Sequence, residues 1–339
     1  SVYHAGGMGL VAERSENISL ERFNVMLKPG SGRMLTTTAD ATHFNNCRGL
    51  VSLRDCLFEN MLDDGTNIHG VYAIVEDIID DHTLGIKMGH FQQLGFDFAS
   101  PGDRIGFVKT GGSLHPYYES KVASLEKINK VYYIMQFEGE IDTGIKEGDL
   151  LDNLDWYPEV ELVNNTVRNN RARGFLISTP RKSLCEGNYF SSMDQAISVH
   201  GGFGGYWYES GFAGNLIIRN NYFADNVYSG RERAVIDFHA EDSNDPFLFK
   251  KIIIEDNEFR TFDPLLMNPE RTDSLIIRNN TISKSGTYPS LFPDNPMIRI
   301  SQVNYADFSG NTIKYFNKED IGVVNHSMHG LKSVNNRWL

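Results

Sequence analysis

Short apolar runs recur along this chain, and each ends on the same punctuation: a polar residue, an Asn-containing pair, one further residue, then an apolar one. The run reads LVNNTV at Leu162–Val167, LCEGNYF at Leu184–Phe190, LIIRNNYF at Leu216–Phe223 and IIIEDNEF at Ile252–Phe259. It continues as LIIRNNTI at Leu275–Ile282, FSGNTI at Phe308–Ile313 and SVNNRW at Ser333–Trp338. An earlier copy, LRDCLF at Leu53–Phe58, carries Cys56 where the others carry Asn. The marker Asn falls at positions 165, 188, 221, 257, 280, 311 and 336. A repeat of roughly 20–50 residues with variable insertions is the mark of a solenoid.

The repeat unit is a strand unit. Its β-branched and aromatic runs have a period of two, as in Asn215–Arg219 and Leu275–Arg278. Asn tolerates left-handed backbone and bonds its neighbours, so it marks a sharp bend. A bend at one place in every coil lets the Asn side chains stack into a ladder, while apolar residues fill a narrow interior. These demands predict an all-β chain, a right-handed parallel β-helix. A propeller needs about four strands per 40 residues, and the turns are too sparse. A second column of short strands follows the marker: TNIH (Thr66–His69), FLIS (Phe175–Ser178), ISVH (Ile197–His200), IDFH (Ile236–His239) and IRIS (Ile298–Ser301). Alternation points their second and fourth residues outward. The outer wall is then Asn67 and His69, Leu176 and Ser178, Ser198 and His200, Asp237 and His239, Arg299 and Ser301. That polar face is either simply solvated or the wall of a groove.

From about residue 78 the repeat vanishes. PGDRIGFVKTGG, KVYYIMQFEG and EGDLLDNL are strands between Gly-rich turns, which suggests a small antiparallel barrel inserted between coils. The expected domains are a β-helix over 1–77, the barrel over 78–157, and the continued β-helix over 158–339. HAGGMGLVAERSENISLERFNV already reads as a full coil with no cap before it, so further chain is expected ahead of Ser1.

Composition narrows the partners. The formal net charge of −12 does not suit a phosphate backbone, so nucleic acid is not an expected partner. No run approaches the roughly 18 apolar residues of a membrane span, and no signal peptide opens the chain. Cys47, Cys56 and Cys185 form no disulfide framework and read as buried thiols. Aromatics are plentiful, 21 Phe, 15 Tyr and 3 Trp. They suit sugar stacking, although core packing accounts for most of them.

The densest polar cluster is TTTADATHFNN (Thr36–Asn46) followed by ENMLDDGTNIHGVY (Glu59–Tyr72). Asp40 and Asp63 are 23 residues apart, His43 and His69 26 apart, each about one short coil. Asp40 and the Asp63–Asp64 pair are therefore expected on adjacent coils, roughly 4.8 Å apart in backbone. Three carboxylates so close repel, and one is expected to hold a proton. That supplies an acid beside a base, as glycoside cleavage requires. The same residues also suit a turn-capping loop or, with Asn67, part of a calcium shell, which takes six to eight oxygens. His43 and His69 read as proton partners, as groups bonding sugar hydroxyls, or as members of a hydrogen-bonded wall. GYWYESG (Gly205–Gly211) sets Trp207 and Glu209 two apart, a ring to stack on a sugar and a carboxylate to bond its hydroxyls. A core Trp beside a surface Glu is the plainer alternative. Arg173 and Asp237 complete the candidate substrate-binding set.

YHAGGMGL (Tyr3–Leu10), PGSGRM (Pro29–Met34), ADATHF (Ala39–Phe44), CLFEN (Cys56–Asn60), LDDGTNIHG (Leu62–Gly70), RARGFLIST (Arg171–Thr179) and YWYESG (Tyr206–Gly211) resemble glycoside hydrolase family 110. The match runs in order along nearly the whole chain. The resemblance implies a parallel β-helix with an inserted barrel, and exo-cleavage of terminal α-1,3-linked galactose, as in blood-group-B-type glycans. It further implies inversion, no metal or other cofactor, and an extracellular or periplasmic location. It maps the catalytic acids onto Asp63 and Asp64, with Asp40 as a further carboxylate. At HGGFGG (His200–Gly205) relatives tend to be more acidic, a difference expected to alter the sugar subsite.

On this view one of Asp63 and Asp64 protonates the departing oxygen, and the other, with Asp40, activates a water. A calcium-dependent polysaccharide lyase would instead need a basic residue at the cluster, where the sequence offers only Arg48 and Arg54. A non-catalytic glycan-binding β-helix is the third reading, since one architecture hosts many functions. The expected partners are terminal α-galactosides of glycans or polysaccharides. Neither nucleic acid nor membrane insertion is expected, and side-by-side association into a homo-oligomer fits the architecture.

Overall fold

The structure is a computed structural model. It describes all residues except 203–204, 241–242, 315–320 and 324–329, with 321–323 described as backbone. Three strands build each coil, and like strands stack in parallel. The first column runs Leu10–Glu13, Thr42–Asn45, the start of Thr66–Ile78, Phe175–Ile177, Ile197–Gly201, Ile236–Ala240 and Met267–Asn268. The second includes Arg48–Arg54, Glu159–Val163, Lys182–Glu186, Asn215–Arg219 and Phe249–Glu255. The third is a nine-stranded sheet from Asn24–Val25 to Arg337–Trp338. The molecule is the all-β parallel β-helix that the repeat predicts.

The Asn pairs work as two separate devices. The first residue of each pair turns the chain with positive φ: Asn164 (56°), Asn220 (54°), Asp256 (54°) and Asn279 (56°), with Gly187 and Gly310 (both 68°) in the same place. Gly, Asn and Asp are the residues that reach this region at least cost. The second residue is buried and forms the ladder. Asn188 Oδ1 accepts from the Asn165 backbone N–H at 2.8 Å and from Nδ2 at 3.0 Å, while Asn188 Nδ2 donates to Leu162 O and Asn221 Oδ1. The pattern continues through Asn257, Asn280, Asn311 and Asn336. At Cys56 the backbone N–H still donates to Asn165 Oδ1, and the ladder of amides ends there. Next to it, Phe190, Phe223 and Phe259 stack face to face in the core, 5.2 and 4.5 Å between centroids. The three cysteines are free and buried.

Strand Thr66–Ile78 belongs to both parts of the molecule. Its first residues pair in parallel with Thr42–Asn45 and Phe175–Ile177. From Tyr72 onward it pairs antiparallel with Thr83–Met88 and Leu150–Asn153. Tyr132–Phe137, Tyr118–Lys127 and Arg104–Val108 close the ring into a six-stranded antiparallel barrel. The barrel has its own core around Phe98, Phe107, Tyr133 and Met135. The passage from coil to barrel thus lies inside one continuous strand, which fixes the barrel against the first column. Arg14 ties the two together, its guanidinium 3.7 Å above the Trp156 ring and 3.3 Å from Asp103. Under this cover the TNIH wall is not a solvated face: Asn67 and His69 are 4% and 3% exposed. Among the described residues no helix is long and apolar enough to cross a membrane.

Candidate active site

A cleft of about 1030 Å³ lies where the barrel meets the first column. Every residue expected to be catalytic or substrate-binding lines it: Asp40, Asp63 and Asp64, then His43, Asn67, His69, Arg173, Trp207, Glu209 and Asp237.

Register decides which of these meet. Thr42 pairs with Thr66, Thr66 with Phe175 and Phe175 with Ile197. One coil at the aspartates is therefore 24 residues, not 23 or 26. Asp40 sits beside Asp64 rather than Asp63, and His43 sits beside Asn67 rather than His69. Carried along the solenoid, the position of Asp40 and Asp64 is filled next by Arg173 and Gln195. Gly65 makes this stacking possible, since a Cβ there would stand 2.5 Å from Gly174 O.

Asp64 is buried and fully engaged. Its Oδ1 accepts the Arg173 backbone N–H at 2.8 Å and its Oδ2 accepts Arg173 Nη2 at 2.6 Å. Burial pushes its carboxyl well above the ordinary range; Arg173 opposes this, and the charges of Asp40 and Asp63 add to it. Asp40 accepts the Asp64 backbone N–H at 3.2 Å on Oδ1 and faces His43 Nδ1 at 2.7 Å on Oδ2. Asp63 is half-buried, and among the described residues its carboxylate accepts no hydrogen bond. Burial and the Asp40 charge raise its pKa against the pull of Arg173 and Arg171. Oxygens of the three carboxylates lie within 4.8 Å of one another. Calcium needs six to eight oxygens. Here the Arg173 guanidinium already neutralises Asp64, so the cluster does not suit that ion.

The histidines extend the constellation. His43 Nε2 and His69 Nε2 are 2.9 Å apart, His69 Nδ1 is 2.6 Å from Gly70 O, and Glu209 Oε1 is 3.5 Å from His69 Nε2. Two nitrogens on one tetrahedral zinc stand about 3.3 Å apart at Zn–N of 2.0–2.1 Å, so 2.9 Å is a hydrogen-bond spacing. The His69 pKa is lowered by burial in spite of Glu209. Burial would raise the Glu209 carboxyl, but His69, His43 and His200 outweigh it and hold it low.

The basic residues of the site differ from those expected nearby in sequence. Arg48 pairs with Glu16 and Arg54 with Glu161. The arginines at the cluster are Arg173 and Arg171, brought in by the next coil more than a hundred residues on. The register that stacks Asp40 on Asp64 would have located Arg173. Sequence reasoning also missed Asp194, Arg231 and Arg233, which line the cleft two and three coils beyond the aspartates, and His90, Gln92 and Gln93 from the barrel. Asp194 and Arg233 stand three residues before the strands ISVH and IDFH, as Asp63 stands before TNIH; that common offset was the available signal. His90 packs against Phe91, Tyr206 and Trp207 with centroids 4.4–4.7 Å apart, and Gln93 Nε2 donates to Trp207 O. Tyr206 and Trp207 remain about half exposed at the rim. Phe203 and Gly204 of the HGGFGG segment lie outside the described residues.

Known proteins match both the barrel and most of the chain. The family described as GLAA-B beta-barrel domain II matches residues 83–151, the body of the barrel. An α-1,3-galactosidase A of Shewanella woodyi is 34% identical over 94% of this chain and 52% of its own length. Two proteins named α-1,3-galactosidase B are similar as well. That of Akkermansia muciniphila is 38% identical over 83% of this chain and 36% of its own length, and one of Phocaeicola vulgatus is 36% identical over 90% and 55%. The chain is homologous to the α-1,3-galactosidases of glycoside hydrolase family 110. It spans about half the length, or less, of the curated relatives it matches. A tailspike of Pseudomonas phage phi297 matches 89% of this chain and 60% of its own at 13% identity and a TM-score of 0.29. The fold rests on the strand pairings and not on that likeness.

Proposed function

We propose that this chain carries the catalytic unit of an exo-acting glycoside hydrolase that releases terminal α-1,3-linked galactose from glycans. The observation that supports it most directly is Asp63. It is the one carboxylate of the cluster that is open to the cleft, free of hydrogen bonds and raised in proton affinity. A carboxyl in that state can give its proton to the departing glycosidic oxygen, a contribution of roughly 10²–10⁴ in rate. Burial sets that affinity first, and the charge of Asp40 adds to it. The aromatic rim at Tyr206 and Trp207 suits the sugars that follow galactose, as expected for a glycan of the blood-group-B type. We further propose that the enzyme acts outside the cytoplasm, where such glycans are found.

We take the reaction to proceed with inversion, with water activated by Asp64 backed by Asp40. A second reading has its own observation. Inversion calls for carboxyl groups roughly 6.5–9.5 Å apart. The aspartate oxygens approach within 4.8 Å, and both Asp40 and Asp64 are already engaged. Glu209, whose pKa the neighbouring histidines hold low against burial, lines the same cleft and acts electrostatically on Asp63, so it is the alternative base.

The test is galactose release from an α-1,3-galactosyl disaccharide, with the first-formed anomer followed by NMR. The β-anomer supports inversion; the α-anomer refutes it. Azide rescue distinguishes the bases: the rescued variant, Asp64→Ala or Glu209→Ala, yields β-galactosyl azide. Unsaturated products from a uronate polymer would favour a lyase, and affinity without turnover a binding module.

A further inference from the structure

The hydrogen bonds around His43 and His69 leave little freedom in where protons lie. Gly70 O is only an acceptor, so His69 Nδ1 carries a proton at 2.6 Å from it. The two Nε2 atoms at 2.9 Å cannot meet lone pair to lone pair, so one proton lies between them. His43 Nδ1 faces Asp40 Oδ2 at 2.7 Å, which requires a third proton. Asp40 accepts the Asp64 backbone N–H on its other oxygen, and since a carboxylic acid is ordinarily a stronger acid than an imidazolium, the third proton sits on His43. Three protons on two imidazoles make one positive charge. Glu209, 3.5 Å from His69 Nε2, is placed to stabilise it at the shared nitrogens.

We infer that His43 and His69 act together as a singly charged pair, sharing a proton across their Nε2 atoms, and that this charge serves as the counter-charge of the acids it faces, Asp40 and Glu209. The inference rests on the proposed galactosidase reaction for its purpose, though not for its geometry. The charged and titratable groups that act on the pair are Asp40, Asp64 and Glu209; Asp63, Arg173 and His200 act in turn on Asp64 or Glu209. Energetics agree in direction. Burial pulls the His43 pKa down, but the hydrogen bond and charge of Asp40, with Glu209 and Asp64 behind, leave it raised. His69 goes the other way. The excess charge therefore belongs on His43, with His69 as its acceptor. These two are positioning residues: they act on the sugar through the acids they hold.

The experiment uses the full chain labelled with ¹⁵N-histidine. NMR should show one imidazole protonated at both nitrogens and a downfield proton coupled to nitrogens of two different rings. His69→Phe should abolish the shared proton. His69→Gln, whose amide oxygen accepts from His43 Nε2–H, should keep His43 doubly protonated. In kcat/KM profiles for galactose release, His69→Phe should move the acid limb upward by about one pH unit, because carboxylates that lose a counter-charge hold protons more tightly. His69→Gln should leave that limb within a few tenths of a unit. Two neutral rings throughout the active range would overturn the inference. So would an unmoved profile in His69→Phe, or stoichiometric zinc taken up from a ZnCl₂ titration by the wild type and not by His69→Phe. A shared proton in a chain that releases no galactose would sustain the charged pair and refute the galactosidase reading instead.

Discussion

Gly65 allows a quantitative test of how closely the site depends on the stacking of coils. A Cβ at this position would stand 2.5 Å from Gly174 O and 2.7 Å from Val167 Cγ1, where ordinary contact begins at 3.4 Å. Opening 2.5 Å to 3.4 Å moves the turn by about 0.9 Å, and the obstacle is backbone, which cannot swing away. Gly65→Ala should therefore cost about 1–3 kcal/mol of stability, the usual range for an overpacked interior. The displacement falls on Asp63 and Asp64, directly before the glycine, and on the 2.8 Å bond from the Arg173 N–H. A misplacement of about 1 Å can cost roughly 10²-fold in rate, so kcat should fall by about that much in a protein that remains folded. Gly106→Ala is the control. Its Cβ meets Pro116 Cγ at 2.5 Å in the barrel, away from the aspartates, and it should lower stability with kcat within about twofold. Urea unfolding and steady-state galactose release read the two quantities separately. Gly65→Ala with wild-type stability and wild-type kcat would refute the account of the turn. Equal losses of kcat in both variants would show that rate merely follows stability.

Asp63→Asn should lower kcat/KM by about 10²–10⁴-fold and raise Tm near neutral pH. Folding raises the Asp63 pKa, so the folded state binds protons more tightly; the stability this contributes is present below the unfolded pKa and lost as pH rises through the folded value. The Tm gain of the variant should accordingly shrink toward zero in acid, and a Tm difference independent of pH would contradict the burial argument. Asn221→Ala leaves the buried Asn188 N–H without its partner and removes three further amide bonds; urea unfolding should show a loss of about 2–5 kcal/mol, and a loss below about 1 kcal/mol would mean that the ladder is not structural. Trp207→Ala should raise KM for a trisaccharide by about tenfold, close to the 0.5–1.5 kcal/mol of a ring contact, while leaving KM for an aryl galactoside nearly unchanged; equal effects on both substrates would place Trp207 away from the following sugars.

The solenoid was legible because its cause is local. Each coil must bend at one place, only a few residue types turn left-handed cheaply, and a buried amide must find partners in the coils above and below. These constraints write Asn-Asn, Gly-Asn and Asp-Asn into the chain at every turn. The aspartate cluster was legible for a related reason: two short coils without insertions bring Asp40 near the Asp63–Asp64 turn almost whatever the register. The partners of those acids were not. Arg173, expected only as a substrate-binding residue, lies beyond the barrel, 109 residues from Asp64; aligning FLIS with TNIH puts it in the same column, but its ion pair with Asp64 and their burial are set by the packing of the coils.

What the amino-acid sequence determined by itself, then, was the period: strands, bends, an apolar interior, and acids recurring on one side. What only the tertiary structure decided was the phase. A shift of a single residue between coils exchanges Asp63 for Asp64 as the neighbour of Asp40, because side chains alternate faces at every step. Hydrogen bonds between coils, the close approach that Gly65 permits and the barrel continuing from the same strand fix that phase together. With it they decide which carboxylate is sealed against an arginine and which is left open to the cleft.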